Sequence, residues 1–209
     1  MTYDVWWLAL LSMFIVSGIP GPNMLHVMTC SIRFGVRRST AAMLGCALSI
    51  VSLLAVSAAG LGAVLNTSPQ AFDVIRYIGV LYLIFLGVKA WRGKNAPFPL
   101  SDVTKIELCS PWQMFRGGLW VSLNNPKLIL FATAFFPQFV NPFSSKLPQF
   151  IILIVTFVVC EFSWYLVYGV GGKKLASFIT RPIAQRAFNR LIGSIFILFG
   201  LLLLRTTPI

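Results

Sequence analysis

Acidic residues are scarce in this chain: Asp and Glu together number 5 against 17 Lys and Arg, and charged residues make up 11% of the 209 positions. A soluble domain usually carries about 25% charged residues. A surface with so few charges would expose large apolar patches to water. Together with a hydrophobic content of 57%, this shortage excludes an ordinary soluble domain and predicts an integral membrane protein.

Metal-ligand and secretion signals are also missing. The four cysteines, Cys30, Cys46, Cys109 and Cys160, have neither CxxC nor metal-site spacing. We therefore expect small apolar side chains in helices, with Cys109 a reduced thiol in a loop, and no metal or other cofactor. Only Asp4 is charged ahead of the first apolar run, whereas a secretory signal begins with basic residues. The first apolar run is therefore expected to stay as a helix.

Long uncharged runs are what the chain has instead. Residues 5–32 contain one basic side chain, His26, and residues 39–72 contain no charged one. Because a membrane-spanning helix needs about 20 apolar residues, the pattern predicts an all-α protein with six transmembrane helices. We place them at 4–31, 40–65, 73–91, 114–139, 147–171 and 188–206. Short loops remain between them, so residues 1–209 are expected to form a single transmembrane domain.

Basic residues indicate the orientation of these helices. The net charge of +12 is distributed in clusters between the apolar runs, which is typical of membrane topology signals rather than of a nucleic-acid surface. Predicted loops one–two, three–four and five–six contain 13 of the 17 Lys and Arg residues; the others are Arg76, Lys127, Lys146 and Arg205. Cytoplasmic loops are enriched in Lys and Arg. Both termini are therefore expected outside, with no nucleic-acid partner.

The two halves of the chain carry related motifs. Residues 76–79 (RYIG) begin an apolar run that ends at Gly87, and residues 190–193 (RLIG) begin one that ends at Gly200. Proline also interrupts both helix one and helix four. Since three helices per half reverse the direction of equivalent helices, this pattern predicts a 3+3 inverted repeat. Chance similarity between apolar helices is the alternative.

The predicted half-repeats are residues 1–95 and 113–209, joined by a cytoplasmic loop at about 92–114. Helices one and four are interrupted at SGIPGPN (17–23) and SLNNPK (122–127). Proline lacks an amide hydrogen, and the carbonyls it frees are tolerated only against protein or water. Matching breaks of this kind often mark a transporter binding site; the alternative is a pair of simple proline kinks satisfied by neighbouring helices. The candidate binding residues at the breaks are Pro20, Gly21, Pro22, Asn23, Asn124, Asn125, Pro126 and Lys127.

Charged side chains suggest what such a site would bind. A helix that resumes after a break presents free amides and the positive end of its dipole, and Lys127 adds a full charge, so we expect a substrate carboxylate there. Glu161 lies near the middle of helix five and is a candidate for holding a substrate ammonium or taking up a proton. The alternative is a structural ion pair with Lys127. His26 is a second proton-coupling candidate, or else a packing residue.

These motifs resemble those of the lysine exporter (LysE) family, and more closely its homoserine/threonine-resistance (RhtB) branch. The resemblance covers essentially the whole chain. It rests on residues 20–23 (PGPN), residues 76–83 leading to Gly87, residues 125–127 followed by 135–139 (FFPQF), and Glu161. It implies a six-helix protein of the bacterial inner membrane that exports amino acids or their derivatives by proton exchange. Asn23 stands where some relatives carry Asp, so the charge preference there can differ.

Two other classes of function stay open. A passive channel or membrane subunit for small solutes would show linear uptake, and buried polar groups at a closed site argue against it. A transmembrane thiol oxidoreductase needs two cysteines that can meet, whereas helix four has none and Cys30 lies beyond the break in helix one. The expected partners are an amino-acid-like substrate, protons and the lipid bilayer. We expect no enzymatic activity, and a homo-oligomer is compatible with the sequence.

Overall fold

The computed structural model describes residues 2–67, 69–92, 109–141, 143–179 and 182–206, and these ranges contain helices and connecting turns but no strand. The helices are α1 (Tyr3–Gly18), α2 (Pro22–Phe34), α3 (Val36–Thr67), α4 (Pro69–Arg92), α5 (Pro111–Leu123), α6 (Pro126–Leu130), α7 (Lys146–Ile179) and α8 (Pro182–Thr206). In these ranges, Val36–Gly62 and Lys146–Gly172 are long and apolar enough to cross a membrane. The bent pair α1 and α2 makes a third such element if it forms one span.

The predicted interruption of helix one is confirmed. Helix α1 ends at Gly18, α2 begins at Pro22, and their axes differ by 56°. Helix α2 then continues to Phe34, and Gly35 alone separates it from α3. Gly35 has a φ of 81°, a conformation that glycine adopts without the steric cost of a Cβ atom. The connection between helices one and two is therefore much shorter than the sequence predicted.

Helix four is also interrupted, but its second half is less regular than expected. Helix α5 begins with a capping box between Ser110 and Gln113. After the break, the five-residue α6 is followed by a π-helical turn (Phe131–Phe135) and a 3₁₀ turn (Phe136–Phe139). Pro137 lies in the 3₁₀ turn and has no amide hydrogen to continue an α-helical ladder. The continuous second half-helix assumed from the sequence is therefore wrong.

The connection predicted between helices five and six is also wrong. Helix α7 bends at Gly172, where φ is 40° and ψ is −123°, and then continues to Ile179. Helix α8 begins at Pro182, a residue suited to the first turn of a helix. The non-helical backbone of Gly172 agrees with the predicted end of helix five at residue 171. Most of the connection predicted between helices five and six is helical, however, at residues 173–179 and 182–186. The predicted loop at 92–114 lies largely outside the described residues.

Glycines determine the closest contacts between helices. A Cβ atom on Gly45 would lie 2.0 Å from the Phe115 carbonyl oxygen, and one on Gly118 would lie 2.3 Å from the Ala42 carbonyl oxygen. Helices α3 and α5 therefore pack backbone against backbone, as small residues allow in membrane proteins. Helices α4 and α8 do the same, because a Cβ atom on Gly87 would lie 2.8 Å from the carbonyl oxygen of Gly193.

The buried core lies among α1, α2, α3, α5, α7 and the turns after α6. Phe131 in the π-helical turn stacks on Phe157 of α7 with ring centroids 4.0 Å apart. Asn23, Asn125 and Glu161 are fully buried in the same region. Buried polar groups need partners, and these three find them at the two helix breaks.

Candidate functional site

Five side chains from three elements form one hydrogen-bonded polar cluster: Asn23, Asn125, Lys127, Glu161 and Tyr165. The Asn125 side-chain amide donates to Asn23 Oδ1 at 2.8 Å. Asn23 Nδ2 in turn donates to Glu161 Oε2 and to the Tyr165 hydroxyl, each at 3.0 Å. Lys127 Nζ lies 3.5 Å from Glu161 Oε1. The cluster therefore connects the α1–α2 break, the α5–α6 break and the middle of α7.

Lys127 reaches from one break to the other. Its backbone amide donates to Asn125 Oδ1 at 3.0 Å, which caps α6. Its ammonium donates to the carbonyl oxygens of Val16 at 3.2 Å and Ile19 at 3.1 Å. These carbonyls lie at the C-terminal end of α1, where the helix dipole favours a cation, and the Val16 oxygen also accepts from the Ile19 amide. The ammonium thus binds the end of α1, whereas a substrate carboxylate was the partner expected from the sequence.

Helix α7 supplies further donors to the end of α1. The Tyr168 hydroxyl donates to the Gly18 carbonyl at 2.9 Å, and the Trp164 indole nitrogen donates to the Phe14 carbonyl at 2.9 Å. Gly18 is the last residue of α1, so its carbonyl lacks a partner within the helix, whereas Phe14 lies one turn earlier. The end of α1 is therefore satisfied by side chains distant in the sequence.

The Lys127–Glu161 pair is the electrostatic centre of the cluster. Glu161 is fully buried, and the Lys127 side chain is 12% exposed. A buried carboxylate is costly unless it has a cation and hydrogen bonds. Oε2 of Glu161 accepts from Asn23, but Oε1 makes no hydrogen bond and has the Lys127 ammonium as its neighbour. Glu161 thus depends on a nearby positive charge.

Glycine and proline shape the space around the cluster. A Cβ atom on Gly21 would lie 3.1 Å from Asn23 Oδ1 and 3.4 Å from the Asn125 amide nitrogen, so glycine lets these two side chains meet against the backbone. Pro20 lies in the extended link, and Pro22 and Pro126 begin α2 and α6. The three prolines therefore position the cluster through the backbone.

Two predicted site residues lie elsewhere. Asn124 is exposed, and its side chain donates to the Trp120 carbonyl at 2.9 Å, so it caps α5. His26 Nε2 lies 3.4 Å from the Met114 carbonyl oxygen and 3.8 Å from Cys30 Sγ. These contacts join His26 to α5 and to its own helix, and neither is with the polar cluster.

Three aromatic residues of the site were missed in the sequence. Trp164, Tyr165 and Tyr168 follow Glu161 by three, four and seven positions. That spacing places them on one face of a helix with Glu161. The helical period starting from Glu161 was therefore a signal that could have identified them.

The fold combines apolar helices of membrane-spanning length with a buried ion pair at two proline breaks. These features define a helical membrane protein with an enclosed polar centre. The family of LysE type translocators matches residues 11–207, and the chain belongs to this family.

Relatives resemble the chain over most of its length. A homoserine/homoserine lactone efflux protein of Salmonella typhimurium is 33% identical, with 97% of each chain covered. An uncharacterized membrane protein of Vibrio cholerae is 31% identical, covering 97% of this chain and 98% of its own. A leucine efflux protein of Klebsiella pneumoniae is 31% identical, covering 87% of this chain and 86% of its own. No solved structure matches the chain.

Proposed function

We propose that this protein is a secondary active transporter that exports amino acids or amino-acid derivatives across the bacterial inner membrane. Membership of a translocator family and the efflux activities in the names of two relatives support this proposal. The observation that carries it is the polar cluster, because Asn23, Asn125, Lys127 and Glu161 bring both helix breaks to one buried ion pair. Such a centre at paired breaks is typical of secondary transporters.

The chemistry of the relatives' substrates agrees with the acidic group of this cluster. Homoserine, its lactone and leucine share a primary ammonium group, whereas the lactone has no free carboxylate. Glu161 is a buried partner for an ammonium. When a carboxylate is present, the N-terminal end of α2, beside Gly21 and Asn23, is its expected partner, since amides and the helix dipole favour an anion there.

The proposed architecture is a 3+3 inverted repeat in one transmembrane domain, with both termini outside. It makes α1–α2 equivalent to α5–α6, α3 to α7, and α4 to α8. The observed packing supports this arrangement, because α3 lies against α5 while its counterpart α7 lies against α1 and α2. The remaining pair, α4 and α8, pack against each other. Alternating access would then move one half against the other around the cluster.

Proton antiport is the proposed energy source, with Glu161 as the proton carrier. Its carboxylate faces a cation in Lys127 and neutral groups in Asn23 and Tyr165. Gain of a proton would therefore break the ion pair and change the net charge of the site. His26 is the second candidate, although its contacts lie with α5.

The experiment is transport by purified protein in proteoliposomes under an imposed pH gradient, with labelled homoserine, leucine and other amino acids. We expect saturable, gradient-dependent movement of a subset, and linear uptake would instead indicate a channel. Glu161→Gln should abolish acceleration by the pH gradient, and His26→Gln, a substitution outside the cluster, should retain it. Gradient-driven transport by Glu161→Gln would exclude Glu161 as the proton carrier.

A further inference from the structure

The environment of the Lys127 ammonium is that of a bound ligand. Its three neighbours are oxygens from two other elements: the carbonyls of Val16 and Ile19, at 3.2 and 3.1 Å, and Glu161 Oε1, at 3.5 Å. A primary ammonium has three hydrogens to donate. Two carbonyls and one carboxylate oxygen are therefore the complement of any primary ammonium, whether or not it is attached to this chain.

The carboxylate of this oxygen set requires a cation. Glu161 Oε1 is buried and makes no hydrogen bond, and a buried charge without its partner is strongly unfavourable. Lys127 lies across the break on α6, whereas the oxygens belong to the end of α1 and to α7. Relative movement of these elements would therefore separate the ammonium from its oxygens. Glu161 would then lack a cation unless another one took the place of Lys127.

We infer that Val16 O, Ile19 O and Glu161 Oε1 form the substrate-ammonium site, and that the Lys127 ammonium is a tethered competitor for it. This inference rests on the proposed transport function. The substrate ammonium displaces Nζ when it binds, and Nζ returns when the substrate leaves. Glu161 thus has a positive partner in the loaded carrier, and also in the substrate-free carrier until it takes up a proton. With a zwitterionic substrate, the displaced Lys127 and the substrate carboxylate balance each other's charge.

Loss of the Lys127 ammonium should affect two modes of transport differently. In exchange of substrate for substrate, only the loaded carrier reorients, whereas net efflux also requires the substrate-free carrier to reorient. In Lys127→Met, the loaded carrier keeps a cation at Glu161 and the substrate-free carrier does not. Without an imposed pH gradient, net efflux should therefore fall by about tenfold or more, with exchange retained, because a buried carboxylate that has neither Lys127 nor a proton opposes the return step.

The transport test compares wild type, Lys127→Met, Lys127→Arg and the matched control Lys174→Met, which changes an exposed lysine of α7. Counterflow and net efflux of homoserine and leucine are measured in the same proteoliposome preparations. Selective loss of net efflux in Lys127→Met, with partial rescue by Lys127→Arg, is the expected result. Equal loss of both activities, or retention of both, would overturn the inference.

A second measurement does not depend on transport. n-Butylammonium should occupy the oxygens vacated in Lys127→Met and raise its melting temperature by about 2–4 °C over an equal concentration of KCl. Wild type and the double variant Lys127→Met/Glu161→Gln should show no such difference. Failure of n-butylammonium to stabilise folded Lys127→Met would contradict the ammonium site. Stabilisation without transport by wild type would instead reject the proposed function.

Wild-type protein provides the remaining test if Lys127→Met does not fold. Reductive methylation of Lys127, followed by mass spectrometry, should increase severalfold in saturating homoserine or leucine, because the displaced Nζ loses its three oxygen partners. Lys174 serves as the internal reference in the same digest. Unchanged or reduced methylation of Lys127 while substrate is bound would show that the ammonium stays in place, which contradicts the inference.

Discussion

The two helix breaks look alike in the sequence but are completed in different ways. At the first break, the Ile19 amide bonds to the Val16 carbonyl, and the carbonyls ending α1 also accept hydrogen bonds from Lys127 on α6 and Tyr168 on α7. At the second, the backbone amides of Asn124 and Asn125 bond to Trp120 and Ser122 just before them. Both breaks thus have a local backbone bond, but only the carbonyls of the first are described as also accepting from distant side chains.

This difference assigns separate roles to the two breaks. A locally capped break keeps its structure when neighbouring elements move, because its donors move with it. A break capped from a distance loses donors when those elements separate, which leaves carbonyl oxygens available to a ligand. The carbonyls at the α1–α2 break are thus suited to a site whose ligand changes. The α5–α6 break is suited to supply the Lys127 ammonium, which is the group that moves.

The largest expected effect contrasts the helices that lead into the breaks. A Cβ atom on Gly118 in α5 would lie 2.3 Å from the Ala42 carbonyl oxygen, whereas one on Gly18 in α1 would first meet the Trp164 ring, at 2.8 Å. Backbone cannot rotate away, but a side chain can. Gly118→Ala should therefore prevent stable folding, and Gly18→Ala should give folded protein that is destabilised by about 1–3 kcal/mol. Size-exclusion profiles and thermal melts in detergent test this, and equal tolerance would refute the contrast.

Removal of each cluster asparagine is the next test. Asn23→Ala removes the donor to both Glu161 Oε2 and Tyr165, so a buried carboxylate loses its hydrogen bond. Asn125→Ala removes the α6 cap and the bond to Asn23. We expect losses of about 2–4 kcal/mol for Asn23→Ala and about 1–2 kcal/mol for Asn125→Ala.

Denaturation midpoints of the two asparagine variants, measured side by side with wild type, provide the comparison. Asn23→Asp is a matched variant of nearly the same size, and it should be less stable than wild type because it places a second carboxylate beside Glu161. If Asn125→Ala were less stable than Asn23→Ala, the expected order would be wrong, and the second break would contribute more to the stability of the protein than the first.

The smallest expected effect concerns single caps. Tyr168→Phe removes the donor to the Gly18 carbonyl and should cost about 0.5–1.5 kcal/mol. Asn124→Ala should cost less, because the Trp120 carbonyl also accepts from the Asn124 backbone amide. The melting temperatures of the two variants should therefore fall in this order. The reverse order would mean that the second break also depends on its side-chain cap.

Some features of the fold could be predicted from the sequence and others could not. Low charge and long apolar runs predicted the helices, since both follow from composition. The breaks at Pro20–Pro22 and Asn124–Pro126 were predicted because proline acts on its own backbone. The 3₁₀ turn after α6 and the helical segment that follows the break at Gly172 were not, because neighbouring packing decides which structure the chain adopts after a local break.

The sequence by itself determined that this chain is a membrane protein with two proline breaks, a buried glutamate and a lysine beside the second break. Only the tertiary structure decided that the Lys127 ammonium lies on the carbonyls of α1, and that Asn23 rather than Asn124 contacts Glu161. The reason is physical. Proline and composition act within a few residues, whereas the reach of a side chain between distant segments depends on how closely the helices pack, which glycines such as Gly45 and Gly118 set.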